Sequence, residues 1–392
     1  MVVSRWLTGA ALTLFTTVSA GVLAGPAQAA SVGVAKVVTH PAVTYVEYKA
    51  ASGKKNRVVV SGTGKSITID DRYTIKPGRG CKTVKKDKTK VRCTTSRAVI
   101  NVRVWTYDKA DSVRTDSSLP LVVEGGSGND VLYGGSGSDS LLGGSGTDRI
   151  YGRGGRDLIT GGSSADYLYG GDHTDSIYGS SGNDRIRGGA GSDWLYGEAG
   201  ADYIWGEDGD DWVDGDRDND VLSGGAGKDR VTGDDGDDRV YGGADDDTLY
   251  AMATSGEGVG ADYYSGGSGR DLVTYSKYIH SGVIVDADGA VGDDGAEGER
   301  DTVATDVESL MGTMLNDVLL GGPGDNTLTG WGGDDRLIGG GGADTLLGGS
   351  GDDYLDSSDT DSRGSTVDGE YGDDECVPGV GDQIQNCENI RP

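Results

Sequence analysis

Histidine is almost missing from this chain of 392 residues, and cysteine is scarce: there are three His and four Cys. His40, His173 and His280 are distant from one another, and Cys81, Cys93, Cys376 and Cys387 are widely spaced, so no zinc-type ligand set is present. Catalytic signatures are lacking as well. Neither HExxH nor GxSxG occurs despite abundant Gly and Ser, and GTGKS at 62–66 lacks the leading glycine of a phosphate loop, with Val59 in its place. Carboxylate pairs such as Asp210 and Asp211 are everywhere, so none singles out a glycosidase centre. No enzyme is expected. A secreted hydrolase is the weakest alternative, because residues 31–124 are a small region for one.

Long apolar runs are absent after Leu23, which excludes a later membrane span. The first residues differ: Arg5, an apolar run to Leu23 and the small-x-small site Ala27-Gln28-Ala29 read as a cleaved export signal over 1–29. Interruption of that run by Gly, Thr and Ser argues against an uncleaved anchor, and no Cys at the processing site offers a lipid attachment point. The expected destination is secreted and extracellular. That compartment permits disulfides, and local pairing of Cys81 with Cys93 and of Cys376 with Cys387 is expected because each closes a short loop.

Positive charge is scarce over most of the chain. Residues 125–392 hold 15 Lys and Arg against 56 Asp and Glu, a net of −41, whereas residues 31–124 hold 19 against 8, a net of +11. Self-repulsion of that size opposes compaction until counter-ions neutralise it. The acidic residues are also in register: Asp recurs every nine residues at 130, 139, 148, 157, 166, 175, 184, 193, 202, 211, 220, 229, 238 and 247. In that frame residues 125–250 are fourteen nonapeptides with Gly first, Asp sixth and Leu, Ile or Val eighth, as in GGSGNDVLY from Gly125 and GGAGKDRVT from Gly224. A disordered acidic, Gly-rich tail would share the composition but not the period.

Glycines at positions one, two and four permit positive φ and a tight turn that aims carbonyls toward a common point. The sixth-position Asp adds a hard anionic oxygen. Neighbouring turns together match the ~6–8 oxygens at ~2.3–2.6 Å that Ca²⁺ takes, and suit the rigid octahedron of Mg²⁺ poorly. Positions seven to nine should alternate outward, inward, outward as a three-residue strand, with the eighth-position aliphatic in a core. One aliphatic per nine residues does not offset the ordering of Gly-rich turns. Folding and ion binding are therefore expected to be one event.

The nonapeptide GGxGxDxUx resembles the RTX, or hemolysin-type, calcium-binding repeat. The resemblance implies an all-β fold: a right-handed parallel β-roll, a β-solenoid with two nonapeptides per coil and residues eighteen apart stacked. It implies multiple Ca²⁺ ions held by Asp130, Asp139, Asp148, Asp157, Asp166, Asp175, Asp184, Asp193, Asp202, Asp211, Asp220, Asp229, Asp238 and Asp247. Asp271, Asp317, Asp335, Asp344 and Asp353 of later units join them. A cleaved N-terminal signal departs from the family's usual uncleaved C-terminal one.

After Tyr250 the register slips by six, units resume at Glu257 and Gly266, and residues 275–311 interrupt the array with the strand GVIVDAD and the acidic loop GDDGAEGERD. Five units then start at Gly312, Gly321, Gly330, Gly339 and Gly348; Asn326 replaces one Asp and should bind weakly. A degenerate unit from Gly369 puts Cys376 at the core position, where a bridge to Cys387 would staple the open end. The expected organisation is a signal over 1–29, a β-rich region over 30–124, roll blocks over 125–274 and 312–356 around the interruption, and a cap over 357–392. Position four departs from Gly at Ser164, His173, Asp218 and Asp245, where positive φ should cost up to ~1–2 kcal/mol.

The β-rich region reads as strands in VTYVEY, NRVVVSG, KSITIDD, AVINVRVW and LPLVVEGG, with the lysine-rich KTVKKDKTKVR between Cys81 and Cys93 as a solvated loop. The expected role is that of a structural or adhesive module, without nucleic-acid partner or membrane span. The alternative is binding of a cell-wall or extracellular polysaccharide by outward columns that include Tyr133, Tyr151, Tyr169 and Trp205 at position nine and Arg149, Tyr167, Arg185 and Tyr203 at position seven. Flat rings would stack on sugars there, unless the columns only support themselves by cation–π and aromatic contacts.

Overall fold

The computed structural model describes residues 32–251, 260–276, 281–297, 299–358 and 363–391; the export signal expected over 1–29 and His280 lie outside the described residues. Each nonapeptide contributes one strand, and the Gly-rich turn sends the chain to the opposite sheet before the next begins. Arg149–Gly154, Tyr167–Asp172, Arg185–Ala190 and Tyr203–Asp208 lie in one sheet, with Leu158–Ser163, Ser176–Ser181, Trp194–Ala199 and Trp212–Arg217 in the other. Within each sheet the pairing is parallel with an offset of eighteen, so Leu132, Ile150, Leu168 and Ile186 stand above one another. The result is a parallel β-solenoid of about 15 turns, consistent with a β-roll and without helix among the described residues.

Strands in the array are mostly six residues long rather than the three expected. The chain stays extended through positions one to three of the following unit, and pairing skips only position one: Tyr151 pairs with Tyr169, then Arg153 with Gly171. The turn is thereby confined to positions four to six, just ahead of the next strand. The eighth-position side chains, from Leu132 through Leu249, are fully buried, forming a core of paired single files between the sheets. After the slip, Tyr264 takes the core position and pairs with Val240, twenty-four residues away instead of eighteen.

The N-terminal region seats the first coils. Thr44–Lys49, Val102–Trp105 and Leu121–Ser127 pair in parallel into one sheet, while Arg57–Thr63, Ser112–Thr115 and Val131–Tyr133 do so into the other. The segment expected as a solvated loop is instead a hairpin: Cys81–Val84 runs antiparallel to Asp87–Thr94, with Cys81 opposite and bonded to Cys93. Its lysines concealed a period-two pattern that turns Val91 and Cys93 inward. Farther on, Val283–Asp286 forms the strand expected in the interruption and starts a third sheet that continues through Val318–Leu320, Arg336–Ile338, Tyr354–Asp356 and Glu375–Val377. Cys376 is buried there and bonded to Cys387.

Candidate metal centre

The sixth-position aspartates form two ladders, one along each edge of the solenoid where the turns stack. The Asp148 backbone N–H donates to Oδ1 of Asp166 (2.7 Å), Asp166 to Asp184 (2.7 Å) and Asp184 to Asp202 (2.6 Å). On the other edge Asp157 donates to Asp175, Asp175 to Asp193 and Asp193 to Asp211, each at 2.7 Å. These bonds use one oxygen of each carboxylate and fix its orientation. The second oxygen, Oδ2, is buried and meets no donor among the described residues at Asp130, in every unit from Asp148 to Asp247, and at Asp271, Asp335 and Asp353.

Glycine at position one protects that oxygen. A Cβ at Gly179 would lie 2.5 Å from Oδ2 of Asp184 and 2.7 Å from the carbonyl oxygen of Gly197 in the next coil. The expectation of positive φ is met at most second and fourth positions, Gly135, Gly137 and Gly236 being among the exceptions, but not at position one, where the constraint is space. At position two Gly162 has φ +123° and at position four Gly182 has φ +131°. Ser164, His173, Asp218 and Asp245 hold the left-handed conformation at φ 83°, 76°, 69° and 76°, and position-two residues such as Arg153 and Glu198 do the same at 80° and 72°.

An anion left half-paired in a dry turn is costly. Burial accordingly raises these carboxyls against the lowering effect of the ladder bond: Asp193 to about 6, Asp166 and Asp211 to about 8, and Asp220 to about 9. A hard cation between the coils relieves that cost. Orphaned anionic oxygens beside glycine carbonyls, in a space that a methyl group would fill, are the donor set that Ca²⁺ takes.

Several carboxylates are instead satisfied by the protein. Oδ2 of Asp262 accepts from the Tyr264 hydroxyl (2.9 Å), Oδ2 of Asp301 from Tyr275 (3.1 Å), Oδ2 of Asp317 from Thr313, through the hydroxyl at 3.2 Å and the backbone N–H at 2.6 Å, and Oδ2 of Asp139 from the Gly135 N–H (2.6 Å). Asp139 and Asp317 thus lie in the ladders but lack the orphaned oxygen. Asn326 remains in register, donating its N–H to Oδ1 of Asp344 (2.9 Å), yet brings no charge.

Asp111, Asp262, Asp301 and Asp374 extend the ladders and were not among the expected site residues; Asp301 accepts the Asp262 N–H (3.0 Å). Asp262 receives the Asp238 N–H and Asp374 the Asp353 N–H, continuing the columns. Asp262 and Asp374 stood in units whose Gly pattern was legible, whereas Asp301 lies in the interruption. Asp111 is less obvious: it accepts from Asn56 and donates to Asp130. Residues 106–114 are a repeat unit without glycine, in which Tyr107 and Lys109 hold φ 71° and 77° at positions two and four. Asp111-Ser112-Val113 carried the only sequence cue.

The family model of the RTX calcium-binding nonapeptide repeat matches residues 124–159, 151–186, 187–222, 214–249, 258–273, 311–346 and 332–361. Asp111 and Asp374 fall outside those matches. No curated protein matches the chain.

Proposed function

The stacked nonapeptides make this chain an RTX-type calcium-binding repeat protein, and from that premise we propose that it is a secreted structural or adhesive module whose roll forms only as calcium loads. The column of buried, unpartnered Oδ2 atoms carries this reading. Carboxylates one coil apart stand ~4.8 Å from one another, a repulsion of about 3–4 kcal/mol per neighbouring pair at an effective dielectric of ~20. That opposes, rung by rung, the ~1.5–3 kcal/mol from each buried aliphatic. Bound calcium supplies the opposite charge between coils.

The holding residues are the orphaned Asp of each ladder with the glycine carbonyls of the adjoining turn. The ladder bonds present each Oδ2 without further rearrangement, and position-one glycine keeps the space open. Secretion rests on the signal pattern over 1–29, and the two disulfides suit an oxidising compartment. The role is non-catalytic. The test is circular dichroism of the mature chain, first in chelator and then titrated with Ca²⁺ or Mg²⁺. The roll's β signal should appear cooperatively with Ca²⁺ at ~0.1–1 mM and not with equal Mg²⁺; a full signal persisting in chelator would overturn the reading.

A further inference from the structure

One outer face of the roll interleaves arginines with aromatic rings. The sheet that contains Arg149–Gly154 presents two outward columns, at positions seven and nine, running from Arg57 to Ser265, and neither contains an acidic residue. The same columns of the opposite sheet hold one acidic residue over the array, Asp214, and far fewer arginines; on this sheet Arg187 of the ninth-position column is paired with Glu207 of the following turn (3.0 Å). The seventh-position column stacks Arg149, Tyr167, Arg185 and Tyr203 in register. Arg149 lies 4.9 Å from the Tyr167 ring centroid, and Arg185 lies between two rings, 5.5 Å from Tyr167 and 5.4 Å from Tyr203. Among the described residues neither guanidinium meets a carboxylate.

Ring orientation decides what such a face can hold. Tyr133, Tyr151 and Tyr169 are stacked at 4.8 Å with interplanar angles of 10° and 5°. That spacing equals the strand separation, and near-parallel rings so close overlap, so that much of each face is covered by its neighbour. This column offers little flat face to sugars or to nucleic-acid bases: of the two readings of the sequence, the rings follow the one in which the column supports itself. The edges point outward, as phenol hydroxyls and, in the neighbouring column, guanidinium N–H groups held between rings.

We propose that this face binds an extended anionic polysaccharide, its carboxylates received edge-on by Arg149 and Arg185 and its hydroxyls by the tyrosine row. A planar guanidinium, held in place by the rings, recognises a carboxylate in two-pronged fashion. The columns repeat along the roll axis, which suits a polymer lying lengthwise. This rests on the adhesive reading of the calcium-loaded roll, because each bound ion removes two of the negative charges that repel such a polymer.

The test uses the full mature chain in 1 mM Ca²⁺ over immobilised hyaluronan, a uronate polymer, with neutral dextran and duplex DNA as comparisons. Dichroism of each sample reports whether the roll has formed, so loss of binding by a folded roll refutes this inference alone, whereas an unfolded sample refutes the calcium reading. Hyaluronan should bind and dextran should not; R149Q/R185Q should weaken binding at least tenfold, while R230Q on the opposite sheet leaves it within twofold. No binding to hyaluronan, equal binding to dextran, tighter binding to DNA, or equal loss in both variants would overturn the proposal.

Discussion

Replacing Asp193 by Ala should change the steepness of calcium-driven folding far more than its midpoint. Asp193 is the eighth of the fourteen consecutive repeat aspartates, and its Oδ1 accepts the Asp175 N–H at 2.7 Å. Removing the side chain deletes a charge-assisted hydrogen bond worth about 1.5–3 kcal/mol together with one anionic ligand. With a loss of about 3 kcal/mol spread over a transition in which about fourteen ions bind together, the midpoint moves by only about 0.15 log units, since ~1.4 kcal/mol is tenfold for one ion. Cooperativity responds differently. Nearest-neighbour coupling is cut in one of the two ladders, between Asp139, Asp157 and Asp175 before the gap and Asp211, Asp229 and Asp247 after it, while Asp184 still bonds Asp202 on the other edge; the steepness of the dichroism titration should fall toward half. Asp193→Asn, which keeps a neutral acceptor for Asp175, should lie between. Asp353→Ala, in the short second block, should leave the main transition as steep as in the parent. A single transition displaced several-fold at unchanged steepness, or equal effects from Asp193→Ala and Asp353→Ala, would show that the ladders are not a one-dimensional coupled array.

Acidification should partly replace calcium. The folded-state values of Asp166, Asp193 and Asp220 are raised above the ordinary ~4 of an unfolded aspartate, so their contribution is fully present below about pH 4 and is lost as pH rises through about 6 to 9. Calcium-free chain should therefore gain β signal between pH 8 and pH 4, and a flat signal across that range would contradict the assignment of burial as the cause. Tyr264→Phe removes the hydroxyl that satisfies Oδ2 of Asp262, creating an orphaned oxygen like those of the array. Isothermal titration should then count one more calcium per chain than in the parent, and an unchanged count in a folded variant would mean that this turn is closed to the ion for another reason.

The Asp register made the ladders legible, because a ligand shared between coils must recur at a fixed interval, and the eighth-position aliphatics made the core legible for the same reason. Positive φ at Ser164, His173, Asp218 and Asp245 followed from their place in the turn. Other features were hidden by context. Asp111 belongs to a coil whose left-handed positions are filled by Tyr107 and Lys109, so the glycine signal that frames the other units is missing. Tyr264 occupies a core position while its hydroxyl satisfies Oδ2 of Asp262 in place of a cation, which its burial pattern alone does not disclose. The hairpin around Cys93 was masked by lysines, whose charge says where a side chain points and not whether the backbone is paired. The role of position-one glycine in guarding Oδ2 depends on a neighbour five residues away and another eighteen away.

The ladder bonds have a direction. Along both main ladders the amide belongs to the earlier coil and the carboxylate to the later one, starting from Asn56 onto Asp111 and from Leu121 onto Asp139. At the N-terminal end, the amides that start both ladders belong to residues outside the nonapeptides: Asn56 immediately ahead of the strand Arg57–Thr63, and Leu121 at the start of Leu121–Ser127. A coil added to that end in chain order finds its orienting donor already fixed. A coil assembled from the opposite end would have to hold its carboxylates in place before the amides that aim them exist. Chain order and order of stacking therefore coincide, and each arriving ion finds the N-terminal half of its site standing.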